Sequence, residues 1–129
     1  MKMIMVASGS RKVKNRKFVF DTLDVLSKIM TFEKFYLGDA VGADAIFLQY
    51  CKERGIEYDV SEAYWDAFGL GAGPRRNKEM LDKAEAEGKK ITLVAFPHRG
   101  PEEQSKGTWN TIQQARERRD IRIFVFPTD

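Results

Sequence analysis

The sequence predicts an α/β fold, a single domain built around a five-stranded, mostly parallel sheet with about four helices. Short apolar runs alternate with longer segments of helical period, which is typical of repeated βα units. The chain has 129 residues, the size of one hydrophobic core, so residues 1–129 are assigned to one domain. A hydrophobic share of 43% and a charged share of 32% are ordinary for a folded globular protein.

Five segments rich in β-branched and aromatic residues are the predicted strands. They are Met3–Ala7, Lys34–Leu37, Glu57–Val60, Ile91–Phe96 and Ile121–Phe126. The predicted helices lie between them: Arg16–Met30, Ala43–Arg54, a third that starts at Pro74 and a fourth that follows Gly107. Gly55 and Gly88 are predicted to end the second and third helices, because glycine readily adopts the left-handed conformation found there.

Composition excludes several classes of protein. No apolar run approaches the roughly 20 residues that span a bilayer, and the apolar N-terminus is too short for a signal-peptide core. Cys51 is the only cysteine, which excludes an intrachain disulfide and a thiolate metal cage. We therefore expect a cytoplasmic protein with no metal site and no resident cofactor. The net charge of +3 is modest, although residues 11–17 hold a basic cluster, which on general grounds is a solvated surface.

Glycine carries the most informative pattern. Eight glycines follow a predicted strand and precede a predicted helix: Gly9, Gly38, Gly42, Gly69, Gly71, Gly73, Gly100 and Gly107. In a right-handed parallel arrangement these segments meet at the carboxyl edge of the sheet, beside the positive ends of several helices. Glycine lets the backbone approach a phosphate closely, so this edge is the predicted anion site. The alternative is that the glycines only make tight turns.

Four loops supply the candidate ligand-binding residues. The first offers Ser8, Gly9, Ser10 and Arg11; the second Gly38, Asp39, Gly42 and Asp44; the third Trp65, Gly73, Arg75, Arg76 and Asn77; the fourth Pro97, Ser105, Gly107 and Thr108. None of them has the Walker A spacing or the three-glycine dinucleotide fingerprint. Hydroxyls, guanidinium groups and helix N-termini are suited to phosphate.

Several of these residues have two interpretations. Asp44 is predicted to stabilise the second helix through its dipole, whereas Asp39 is equally suited to a ribose hydroxyl or to a structural role. Trp65 can stack on a base, or it can form a hydrophobic lid over the sheet with Tyr64 and Phe68. Pro74 is expected at the first helical position, with Arg75, Arg76 and Asn77 in the first turn beside the bound anion.

The combination of motifs resembles the SLOG superfamily, and more narrowly its short stand-alone YspA/YAcAr-like members found in bacteria and phages. The residues that carry the resemblance are Gly-Ser-Arg at 9–11, Gly-Asp-Ala-Val-Gly-Ala-Asp at 38–44, Gly-Pro-Arg-Arg-Asn-Lys-Glu-Met at 73–80, Phe-Pro at 96–97 and Ser-Lys-Gly-Thr at 105–108. The resemblance implies a Rossmann-like, three-layer α/β/α fold and a nucleotide or nucleotide-sugar pocket lined by the motif glycines and the arginine-containing helix start.

The same resemblance leaves the reaction open. Lonely-guy phosphoribohydrolases of this superfamily cleave the N-glycosidic bond of nucleoside monophosphates with a glutamate, and its place falls on Thr111 here. Such a bond is usually broken with the help of a carboxylate. Arg76 is the candidate phosphate anchor. The candidate substitutes for the glutamate are acids of other loops, first Asp39 and Asp44, with Glu62, Asp66 and Glu102 as further alternatives. We expect either a sensor or sequestering protein for a nucleotide derivative or a hydrolase, working as a homo-oligomer such as a dimer. Single-stranded nucleic-acid binding, as in DNA-processing protein A, is the alternative.

Overall fold

The computed structural model describes residues 2–129 and confirms the predicted fold class. Five strands form one parallel sheet: β1 (Lys2–Gly9), β2 (Thr31–Leu37), β3 (Glu57–Val60), β4 (Ile91–Phe96) and β5 (Ile121–Val125). The helices are α1 (Arg16–Ile29), α2 (Ala43–Arg54), the single turn α3 (Trp65–Phe68), α4 (Ala72–Ala86) and α5 (Lys106–Arg116). The four long helices match the predicted number. α2 has its predicted bounds, and the other predicted helix ends are displaced by at most two residues.

The sheet has a hydrophobic core on each face, because side chains alternate along its strands. In β1, Met5 and Ala7 pack with α1 and α2, whereas Ile4 and Val6 pack with α4 and α5. The result is a Rossmann-like, three-layer α/β/α arrangement. Within residues 2–129, no helix is long and apolar enough to cross a lipid bilayer.

The strand order is β3-β2-β1-β4-β5. The chain therefore moves outward from β1 to β3, crosses back over the sheet, and continues outward on the other side from β4 to β5. The direction of winding reverses between β1 and β4. In open α/β sheets the loops that leave two such strands diverge and leave a crevice, which is where ligands commonly bind.

Gly55 and Gly88 end α2 and α4 as predicted, with left-handed φ angles of 66° and 70°. The start of α4 was predicted wrongly. A 3₁₀ turn at Gly69–Gly71 runs directly into the helix, which begins at Ala72, so Pro74 occupies the third helical position. The first four amides of a helix have no partner within it, so a proline there loses no hydrogen bond. Arg75, Arg76 and Asn77 consequently lie beyond the first turn.

The aromatic lid is also wrong. Tyr64, Trp65 and Phe68 remain 57%, 44% and 45% exposed, and no residue of α3 is buried. A helix of four residues cannot present an apolar face wide enough to cover the sheet. The three aromatic side chains therefore do not seal the strand ends.

Candidate functional site

A hollow of about 370 Å³ lies at the carboxyl ends of β1 and β4, where the strand order reverses. We call it the strand-end hollow. The predicted residues that line it come from all four loops: Ser8, Gly9, Ser10, Arg11, Asp44, Trp65, Gly73, Arg76, Asn77, Ser105, Gly107 and Thr108. Its volume is at the lower end of the roughly 300–1,000 Å³ typical of ligand sites, which suits a ligand of mononucleotide size.

Five predicted residues lie outside this lining. The Arg75 guanidinium stacks on Phe68, 4.0 Å from the ring centroid. Pro97 is buried behind the fourth loop, where its carbonyl accepts a hydrogen bond from Thr128 N at 2.8 Å. Gly38, Asp39 and Gly42 lie behind the wall of the hollow and act through their neighbours.

Arg75 lines a second groove, of about 450 Å³, with Tyr64, Phe68 and the acidic side chains Glu62, Glu79 and Asp82. This groove is larger than the strand-end hollow, but it lies along α4 rather than at the strand ends. Its mixture of acidic and basic groups makes it less suited to an anion.

Gly9 and Gly42 allow the first loop to pack tightly against α2. A Cβ on Gly9 would lie 2.3 Å from Ala43 Cβ, and one on Gly42 would lie 2.4 Å from the Arg11 carbonyl oxygen. Gly42 also has a φ of 76°, which disfavours other residues. Ala43 N donates to Ser10 O at 3.1 Å. The N-terminus of α2 is therefore partly covered by protein. Gly9 and Gly42 are needed for tight packing here, and not for the approach of a phosphate.

Gly107 differs, because a Cβ at this position would meet no atom within 4 Å. It is the second residue of α5 and lines the hollow. Ser105, at the N-cap, makes no capping hydrogen bond with its side chain; its Oγ accepts instead from His98 N at 2.8 Å. A 3₁₀ turn over Glu102–Ser105 leads directly into α5. The N-terminus of α5, with the positive pole of the helix dipole, borders the hollow through Lys106, Gly107 and Thr108.

Thr108, the third residue of α5, is 2% exposed and lines the same hollow. Its Oγ1 is buried and has no hydrogen-bond partner within residues 2–129. Leaving a buried hydroxyl unsatisfied costs about 1–3 kcal/mol. This unpaired hydroxyl at the helix N-terminus is free to donate a hydrogen bond to a bound anion.

Beside the start of α5 the hollow is lined by one exposed acid, Glu103, and by three cations: Arg11, Lys12 and Lys106. All three are exposed, and none forms an ion pair within the described part of the chain. The Arg11 guanidinium also lies 5.5 Å from the ring centroid of Trp65. Sequence reasoning did not select Lys12 or Lys106, although Lys12 belongs to the basic cluster and Lys106 to the Ser-Lys-Gly-Thr motif.

The lining also includes an arginine that lies between two carboxylates. Arg76 Nη1 lies 2.8 Å from Asp39 Oδ1 and 3.9 Å from Asp44 Oδ2, and Arg76 Nε donates to Asn77 Oδ1 at 3.0 Å. Gly38 makes room for this cluster, since a Cβ there would lie 2.5 Å from Arg76 Nη1. The candidate phosphate anchor Arg76 is thus already neutralised by acidic neighbours.

Asp44 is the most perturbed acid of the site. Burial raises its pKa to about 6, against the opposing effects of the Arg76 charge and of a hydrogen bond from Ala40 N. The Ala40 N to Asp44 Oδ2 distance is 3.0 Å. Asp44 is the second residue of α2, so it also meets the helix dipole as predicted, yet its burial against the hollow was not foreseen.

Thr111, at the position where the resemblance to phosphoribohydrolases would place a glutamate, faces the protein interior. It is fully buried, its Oγ1 accepts from Ser8 Oγ at 3.3 Å, and it donates to Gly107 O at 3.1 Å. Asn77 Nδ2 donates to the same carbonyl at 3.2 Å. These contacts tie β1, α4 and α5 together, so Thr111 positions the start of α5.

Fold and site together define a Rossmann-like α/β protein with an electropositive hollow at its topological switch point. Comparison of the chain with models of known families, with curated proteins and with solved structures gave no match. The residues of the hollow are therefore the basis for proposing a function.

Proposed function

We propose that the strand-end hollow binds a nucleotide or nucleotide-sugar derivative through its phosphate, and that the protein acts as a sensor or sequestering protein for that ligand. The observation that carries the proposal is the unpaired, buried hydroxyl of Thr108 in the first turn of α5, at the helix N-terminus that borders the hollow. Backbone amides, a hydroxyl and the nearby Lys106 are the donors that a phosphate accepts from in proteins.

The position of Trp65 supports a nucleotide rather than a bare phosphate. Its indole ring is 44% exposed and lines the hollow, so one ring face can stack on a base. N-glycosidic hydrolysis is a second candidate, favoured by the buried carboxylate of Asp44 in the same hollow. Such cleavage uses a carboxylate to stabilise positive charge or to activate water.

Single-stranded nucleic-acid binding has less support. Of the basic cluster that suggested it, Arg16 pairs with Glu53 and Lys17 pairs with Asp21, which removes two cations from a continuous binding track. The cytoplasmic location and the homodimer stay predictions. Light scattering would test the dimer.

Thermal unfolding with adenosine 5′-monophosphate, ADP-ribose or cyclic AMP tests the proposal. A ligand at 100 times its dissociation constant adds about 2.7 kcal/mol, which raises the Tm of a domain this size by on the order of 10 °C. We expect this with at least one of the three compounds. Free adenine released in the same samples would reveal hydrolysis.

Thr108→Val and Lys106→Ala should each weaken the binding about tenfold, because each removes one donor to the phosphate. Lys52→Ala is the matched control, since Lys52 is an exposed lysine in the last turn of α2 and lies outside the hollow. No rise in Tm with any of the three compounds at millimolar concentration would refute the proposed function.

A further inference from the structure

The strand-end hollow has an acceptor, Asp44, in addition to the donors at α5. We infer that Asp44 Oδ1 accepts a hydrogen bond from a hydroxyl group of the ligand, which makes the protein selective for sugar phosphates and mononucleotides that keep a free ribose hydroxyl. The inference rests on the proposed function, because it adds a second point of recognition to the same hollow.

The two oxygens of Asp44 have different surroundings. Oδ2 accepts from Ala40 N and faces Arg76, whereas Oδ1 accepts no hydrogen bond from residues 2–129. The side chain is only 7% exposed and lines the hollow. Oδ1 is not sealed from solvent, since it is not among the buried polar atoms that lack a partner. A ligand hydroxyl in the hollow can therefore donate to it, and a hydrogen bond to a charged group adds affinity.

Asp39, the acid that the sequence offered as a ribose contact, has no oxygen free of a protein donor. Its Oδ1 accepts from Arg76 Nη1 at 2.8 Å, and its Oδ2 accepts from Ala63 N at 3.2 Å. Both oxygens are committed to protein donors, and the side chain does not line the hollow. The ribose contact that the sequence offered to Asp39 is therefore better suited to Asp44.

The charges around Asp44 select a neutral donor. Arg76 and Arg11 both lie close enough to lower the pKa of Asp44, even though burial raises it to about 6 overall. A cationic ligand group would be repelled by these arginines, and a phosphate would be repelled by the carboxylate. Above pH 6 the ionised carboxylate only accepts hydrogen bonds, which a neutral hydroxyl can donate.

Calorimetric titration at pH 7.5 with two matched probes tests the inference. Adenosine 5′-monophosphate and its 2′,3′-dideoxy analogue share the base and the phosphate and differ only in the ribose hydroxyls. The wild-type protein should bind the hydroxylated probe about tenfold more tightly, the usual value of a hydrogen bond to a charged group. Asp44→Ala should bind the two probes with equal affinity.

Two further variants separate the possible outcomes. Thr108→Val should weaken both probes equally and keep the tenfold preference, because it removes only a phosphate contact. Asp44→Asn keeps the size of the side chain and its acceptor for Ala40 N, and it should reduce the preference even if Asp44→Ala fails to fold. A preference that survives in both Asp44 variants would overturn the inference while leaving the proposed function intact. Absence of binding of either probe to the wild-type protein would instead count against the proposed function.

Discussion

Asp44 shows how burial of one carboxyl group couples the candidate site to stability. Its pKa is raised from 3.8 to about 6 in the folded protein, so the unfolded chain releases this proton at lower pH. The stabilising contribution of protonated Asp44 is complete below about pH 4 and is lost as pH rises through 6. At neutral pH the ionised carboxylate therefore destabilises the fold that positions it.

Comparison with Asp44→Asn isolates this effect, because all other acids are common to both proteins. The stability of the wild type relative to the variant should fall by about 2 kcal/mol between pH 4.5 and 7.5. Urea denaturation at the two pH values measures the difference. An equal gap at both would mean that Asp44 keeps an ordinary pKa in the folded protein.

At the scale of elements, the site depends on how closely α2 approaches β1 and on the free space around Gly107 in the first turn of α5. Gly9→Ala places a methyl group 2.3 Å from Ala43 Cβ, an overlap that α2 must relieve by moving. Overpacking of this kind costs about 1–3 kcal/mol, so we expect a loss of about 2 kcal/mol. The measurement is the free energy of unfolding.

Gly107→Ala is the matched control for that change. The added methyl group meets no atom within 4 Å, and alanine is a better helix former than glycine by up to about 1 kcal/mol. The variant should therefore unfold no more readily than the wild type. Equal destabilisation by the two changes would show that glycine is needed at both positions for its backbone alone.

At the scale of the whole molecule, protection from local unfolding should decrease from the middle of the sheet to the exposed segment 65–71 before α4. β1 pairs with β2 and β4 and has both faces covered, whereas α3 contains no buried residue and Leu70 is 95% exposed. Native-state hydrogen exchange should be slowest at Met5, Val6 and Leu93 and fastest between Trp65 and Gly71. Protection of α3 as strong as that of β1 would contradict this order.

How much of the fold could be predicted from the sequence also depends on scale. Strands and long helices were predictable because their periods of 2 and 3.6 are local properties of a chain that buries one side of each element. The helix ends at Gly55 and Gly88 were predictable for a similar reason, since their conformation is decided by a single residue. The start of α4 was not, because the 3₁₀ turn before Ala72 has no strong signature of its own.

For the candidate site, too, one part was determined by the sequence and another only by the tertiary structure. The sequence alone determined that the chain is α/β and that its glycine, hydroxyl and arginine residues collect at the carboxyl edge of a parallel sheet, because chain order and handedness require it. Only the tertiary structure decided which of these residues face a common space. It assigned Gly9 and Gly42 to packing, gave Arg76 to two carboxylates, and placed the buried residues Thr108 and Asp44 in the lining of the hollow. Such outcomes depend on distances between residues far apart in sequence, and no local pattern of residues encodes those distances.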